Sequence, residues 1–105
     1  MEQQFKNDIT VLELVEKISK GEDVYLLDVR EPIEYYTFNI GGLNIPLATL
    51  PDRLPELDCE KDHEIILICQ RGIRSETAGQ IIENHGFTNA RNLSGGLLAY
   101  KRMTN

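Results

Sequence analysis

Tryptophan is absent from this chain and cysteine is scarce, with two, Cys59 and Cys69, in 105 residues. Two thiols cannot make the disulfide framework that staples small secreted domains, so a reducing, cytoplasmic setting is the default expectation. Long apolar runs are also missing. The longest, Ile65-Ile66-Leu67-Ile68-Cys69, has the length of a strand and falls far short of the ~18 residues that span a membrane. The amino-terminal stretch, residues 1–8, is polar and of mixed charge, without the apolar segment of a secretory signal. Positive charge is in short supply: 11 Lys and Arg face 17 Asp and Glu, a formal net charge of −6. Such a surface repels phosphate backbones, which argues against a nucleic-acid partner, and an anionic substrate would need a local cluster of cations. The histidines, His63 and His85, have no ligand-like spacing with each other or with cysteine, so metal binding is not expected.

What is present suits a single domain over residues 1–105, with 41% hydrophobic residues to build its core. Thr10 followed by Glu13 reads as a capping box. Val11, Leu12, Leu14, Val15 and Ile18 then recur at helical spacing, predicting a helix over 11–20 that Gly21 stops. Residues 24–27 are apolar without alternation, as in a buried parallel strand. Residues 31–36 predict a short helix with Pro32 near its start. Gly41, Gly42 and Pro46 mark irregular chain, and residues 47–54 have room for a helical turn or two between prolines. Residues 64–68 predict the central strand. A helix over 75–85 follows, capped by Ser75, with Ala78, Ile81, Ile82 and His85 inward. A weak strand over 89–93 and a helix over 97–103 complete the chain. Strands alternating with helices imply an α/β domain with a mostly parallel sheet flanked by helices on both faces.

The chemistry is concentrated in Cys69-Gln70-Arg71-Gly72-Ile73-Arg74-Ser75, between the most hydrophobic strand and a helix. Ligands of open α/β sheets bind at the carboxyl ends of strands, and the amides of a loop entering a helix converge on an anion. Gly72 permits the backbone conformations of such a nest, and Arg71 and Arg74 add two positive charges. A helix N-terminus and nearby cations favour a thiolate, the nucleophilic form of cysteine. Cys69 also follows four apolar residues and so reads equally as the last core residue of the strand, while the arginines could be pairing with acidic residues.

The loop resembles the active-site loop of the rhodanese family, which runs Cys, two residues, Gly, one residue, Arg, Ser. Other segments are similar in order and spacing. Asp28-Val29-Arg30 with Glu34 and Tyr35 resembles the family's Asp-x-Arg…Glu-Tyr/Phe motif, residues 40–46 resemble its Ile-x-Gly-Ala-x-Asn-Ile-Pro segment, and Asn92-Leu93-Ser94-Gly95-Gly96 with Tyr100 resembles its Leu-x-Gly-Gly…Trp segment. The departures are Phe38-Asn39, where the family often has Gly-His, and Tyr100, where it often has Trp.

The resemblance implies a rhodanese-like fold and a sulfurtransferase. Cys69 would take a sulfane sulfur from a small anionic donor such as thiosulfate, carry it as a persulfide and release it to cyanide, a thiol or a protein acceptor; a protein could equally be the donor. Gln70, Arg71, Gly72, Ile73, Arg74 and Ser75 would bind the substrate. Asp28, Arg30 and Glu34 would brace the site, Arg30 pairing with Glu34 and Asp28 capping or pairing with a loop group. A cysteine phosphatase or arsenate reductase, and a non-catalytic or persulfide-carrying module for a protein partner, are the alternatives. Phosphatases of this kind use a Cys-x5-Arg loop, whereas four residues separate Cys69 from Arg74. Cys59 could resolve an oxidised Cys69, although nothing in the sequence brings it near.

Overall fold

The structure, a computed structural model, describes residues 8–104; the polar stretch read at the amino terminus falls almost wholly outside them. Helices α1 (Val11–Ser19), α2 (Pro32–Thr37), α3 (Leu50–Arg53), α4 (Ile73–Asn84) and α5 (Gly96–Thr104) surround strands β1 (Leu26–Asp28), β2 (Leu43–Asn44), β3 (Ile65–Ile68) and β4 (Ala90–Asn92). The sheet is parallel throughout, in the order β2-β1-β3-β4. Ile9 adds a bridge to Leu93 beyond β4.

The burial of β3 follows from its position. All four of its residues are buried, and their side chains alternate between two cores. Ile65, Leu67 and then Cys69 join Leu27, Val29, Ala78 and Ile82 on the face covered by α3 and α4. Ile66 and Ile68 join Leu14, Leu26, Leu93 and Leu97 on the face covered by α1 and α5. Each such aliphatic side chain contributes roughly 1.5–3 kcal/mol when removed from water, which is why this strand lies at the centre.

Local signals set most boundaries. The Thr10 hydroxyl accepts from the Glu13 amide at 3.1 Å, but the expected capping box is not completed, because the Glu13 carboxylate pairs with Arg91. Glu31 and Glu34 do form a capping box at the start of α2, where Pro32 occupies the first turn. Three further expectations need correction. Residues 43–44, read as irregular chain, pair with β1 as β2, which is too short for any periodicity to reveal. Ser75 does not cap α4: the helix starts at Ile73, and its N-cap is Gly72 at a left-handed φ of +91°. His85 does not face the core; it is the exposed C-cap of α4.

The loop after β3 is held from behind by α5. Leu97 and Leu98 donate their amides to the Cys69 and Gln70 carbonyls at 2.9 and 3.0 Å. This approach requires Gly96, since a Cβ there would stand 2.5 Å from both carbonyl oxygens and the residue has φ +62°. Gly96→Ala should therefore cost about 1–3 kcal/mol, the range of an overpacked contact, and lower the thermal unfolding midpoint by several degrees.

Candidate active site

Cys69 leaves β3 at the carboxyl edge of the sheet and is only 1% exposed. Its sulfur accepts from the Gly72 amide at 2.9 Å and the Ser75 amide at 3.4 Å, so the first turn of α4 wraps around it. The Ser75 hydroxyl lies 3.2 Å from Sγ and donates to Asn92 Oδ1. Asn92 Nδ2 in turn donates to the Gly72 carbonyl at 3.0 Å. The loop is thus fastened to β4 as well as to α5. Cys69 is at once a core residue and the floor of an open pocket of about 220 Å³ lined by Gln70, Arg71, Ile73 and Arg74.

The residues expected around the sulfur have different surroundings. Gly72 and Ser75 are buried and supply the amides, whereas Gln70 and Ile73 line the pocket, Ile73 as an exposed apolar rim. Arg71 is exposed and has no hydrogen-bond partner among the described residues, so its charge faces solvent at the pocket mouth. Arg74 also lines the pocket, but its guanidinium forks onto Glu34 at 2.8 and 3.0 Å. Those bonds raise the Arg74 pKa above its ordinary value, with smaller Coulombic contributions from Glu34, Cys69 and Glu31. Another depression, of about 280 Å³, is lined by Glu56 and Asp58 and by no cation, so it is a poor place for an anion.

The expected pairing of Arg30 with Glu34 is not formed. Arg30 pairs instead with Asp28, both almost fully buried, through Nη2–Oδ2 at 2.8 Å and Nε–Oδ1 at 3.0 Å. Two more of its protons go to the carbonyls of Phe38 at 2.7 Å and Glu34 at 3.4 Å. The reason is geometric. Two residues apart across the end of β1, the carboxylate and guanidinium already face each other, which leaves Glu34 free to reach Arg74. All three residues nonetheless tie α2 to the sheet and to α4.

The departures at residues 38 and 39 are absorbed locally. The Phe38 carbonyl takes Arg30, its ring lies under Lys101, and Asn39 accepts from the Gly41 amide at 2.9 Å. Tyr100 packs half-buried against the second core. Cys59 lies beside Tyr25 and Asp58, where burial first and then Asp58 push its thiol pKa up. Tyr25 precedes β1 at the amino end of the parallel sheet and Cys69 follows β3 at the carboxyl end, so the two thiols lie at opposite ends. Among the described residues no cluster of three or more His, Cys, Asp or Glu side chains could hold a metal ion, and no helix is long and apolar enough to cross a membrane.

Asn92 was missed as a candidate. It lies 17 residues from Ser75, and only the β3–β4 pairing brings the two together.

Comparison with known proteins agrees with this fold. The model of the rhodanese-like domain matches residues 10–103. The chain belongs to the rhodanese-like domain family. Over 97 residues it is 32% identical to a sulfurtransferase of Allochromatium vinosum, covering 91% of this chain and 89% of that protein. It is 34% identical over 98 residues to the putative sulfurtransferase YtwF of Bacillus subtilis, covering 92% of each. Among solved structures, the human single-domain sulfurtransferase TSTD1 superposes with a TM-score of 0.83 at 26% identity, over 94% of this chain and 98% of that one. These likenesses place the rhodanese-like chain among sulfurtransferases.

The Glu34–Arg74 pair has a pH signature. Arg74, first by its hydrogen bonds, holds the Glu34 carboxyl at a pKa of about 2, below the ordinary 4.5. A carboxylate with a depressed folded pKa adds stability that is fully present above about pH 4.5 and is lost as pH falls toward 2. Because both side chains are about one-third exposed, the effect should be on the order of 1 kcal/mol or less. Glu34→Gln should lower the unfolding midpoint at pH 7 and flatten its decline between pH 4.5 and 2, as followed by thermal melts across that range.

Proposed function

We propose that this rhodanese-like chain moves a sulfane sulfur from thiosulfate, or a related small anionic donor, to a thiol or cyanide through a persulfide on Cys69. The observation that carries the reading is the sulfur itself: it lies at the end of the central strand, takes the Gly72 amide at 2.9 Å, and floors a pocket edged by Arg71 and Arg74. Cys69 Sγ, as thiolate, attacks the outer sulfur of the donor. The donor S–S bond breaks, and its electron pair leaves with sulfite. The acceptor nucleophile then attacks the terminal sulfur of the persulfide, and the Cys69 thiolate departs with the bonding pair. Both steps are covalent catalysis by an activated cysteine, with ping-pong kinetics expected.

Each neighbour has a part in this scheme. The Gly72 and Ser75 amides stabilise negative charge on Sγ, and Gln70 and Ile73 bound the space in which the second sulfur sits. Arg71 attracts the anionic donor against the net charge of −6. Arg74, braced by Glu34, offers a fixed charge. Asp28 and Arg30 hold α2 against the sheet, so Glu34 meets Arg74 in one geometry. The protein is expected to work in the cytoplasm, without metal or organic cofactor, as one domain; a protein donor or acceptor would use the same pocket mouth.

Incubation with thiosulfate should add one sulfur atom to Cys69, removable by reductant, as read by intact-protein mass and peptide mapping. Cys69→Ser should abolish the adduct and thiosulfate–cyanide transfer while changing stability by only ~1 kcal/mol. A reducible sulfur on Cys59, or one retained in Cys69→Ser, would sink the assignment. Turnover of aryl phosphates by the wild type, abolished in Cys69→Ser, would favour the phosphatase reading, which the short Cys69–Arg74 loop disfavours.

Arg71 and Arg74 should separate kinetically. Arg71→Ala removes an exposed charge worth up to about 1 kcal/mol and should raise the KM for thiosulfate up to about fivefold with little change in kcat. Arg74→Ala should lower kcat as well, because it also removes the brace to Glu34. Unchanged kinetics in both variants would refute the anion cradle.

A further inference from the structure

The groups nearest the Cys69 sulfur form a closed circuit, and its direction follows by elimination. The Gly72 carbonyl can only accept, so the Asn92 atom facing it at 3.0 Å is Nδ2. Asn92 therefore turns Oδ1 toward Ser75, whose hydroxyl donates to it. A hydroxyl has one proton. Ser75 Oγ is left with only lone pairs for Sγ, 3.2 Å away. The Gly72 amide closes the circuit onto the sulfur at 2.9 Å. A lone pair facing Sγ suits an S–H, which donates to it, and opposes a thiolate; the two loop amides have the reverse preference. Ser75 is fully buried and Asn92 is 8% exposed, so neither hydrogen bond is readily exchanged for water.

We propose that Asn92 is a positioning residue for Cys69, acting through the Ser75 hydroxyl: by reserving that proton it withholds a hydroxyl hydrogen bond from the sulfur. This rests on reading Cys69 as the nucleophile. On activation the S–H proton leaves to solvent, the Ser75 hydroxyl turns its proton from Asn92 Oδ1 to Sγ, and Oδ1 loses its donor. No other bond changes. The unpartnered Oδ1 opposes the ionised state until the sulfur is engaged, so Asn92 sets how readily the nucleophile is exposed. The charged groups around the sulfur are Arg71 and Arg74 on its own loop and helix, Glu34 on α2 behind Arg74, and the Asp28–Arg30 pair at the end of β1. β4 and α5 bring Asn92, Gly96 and Leu97, all uncharged, to this loop. Substituting Asn92 or Ser75 leaves every one of those charges in place.

The test is a double-substitution cycle on the full chain, with Cys59→Ser so that one thiol reports. Asn92→Ala, Ser75→Ala and the pair are compared by the pH dependence of Cys69 alkylation with iodoacetamide, and thermal melts establish folding. Loosening of the Gly72 carbonyl affects both backgrounds alike and cancels in the cycle. With Ser75 present, Asn92→Ala should place the alkylation profile about half a pH unit or more lower than its effect in the Ser75→Ala background requires. Equal shifts in both backgrounds would overturn the proposal. Asn92→Ser, too short to reach both Gly72 and Ser75, goes through the same cycle if Asn92→Ala does not fold. Failure of both to fold would assign Asn92 to the framework alone and overturn it too. Alkylation needs no sulfur donor, so the outcomes stay separate. Coupling without sulfur transfer keeps the circuit and loses the proposed function, whereas transfer with additive shifts does the opposite.

Discussion

The chain has to turn from β3 into α4 within four residues, and the environment of Cys69 is a result of that turn. The N-cap of the helix is left-handed, a conformation that Gly72 adopts freely at φ +91°. The turn points the Gly72 and Ser75 amides inward, where Sγ is the acceptor they meet. An orphan helix N-terminus would normally look to water or a capping side chain. Here the sulfur takes that place, which couples the geometry of the helix start to the chemistry of the thiol.

A loop this tight keeps its shape because it is fastened on three sides. α5 donates two amides to its carbonyls, β4 supplies Asn92, and α2 supplies Glu34 to Arg74. The Asp28–Arg30 pair stands behind the last of these. A buried pair is costly to desolvate, but losing one partner strands the other, at about 3–5 kcal/mol. Its value lies in geometry: with four of its donor contacts going to Asp28, Phe38 and Glu34, Arg30 fixes α2 against the end of β1.

Sequence reasoning reached the parts of this arrangement that depend on neighbours in the chain. The apolar run ending at Cys69, the N-cap at Thr10 and the proline start of α2 are local features, and each appears where expected. The loop's place between the central strand and a helix was legible for the same reason, as were the strand–helix alternation and the parallel sheet. What was misread depends on distant partners. Arg30 chose Asp28 over Glu34 because the end of β1 presents both residues to one side. Ser75, a good cap by composition, was displaced from that role because the left-handed Gly72 starts the helix at Ile73. β2 has two residues and exists only because β1 offers it a ladder. Asn92 carries no local signal, since its partners are 17 and 20 residues away.

The spread of those partners bears on when the site comes into being as the chain folds. The groups that surround Cys69 come from positions 34, 72, 75, 92 and 97, and most are joined by contacts across many intervening residues. Closing such loops is entropically costly and follows the formation of local helices. Until β4 has docked beside β3, Cys69 has only the amides of its own turn and lacks the serine that Asn92 orients. Completion of the surroundings of Cys69 is therefore coupled to completion of the sheet, and alkylation of Cys69 during refolding would time the last stage of assembly.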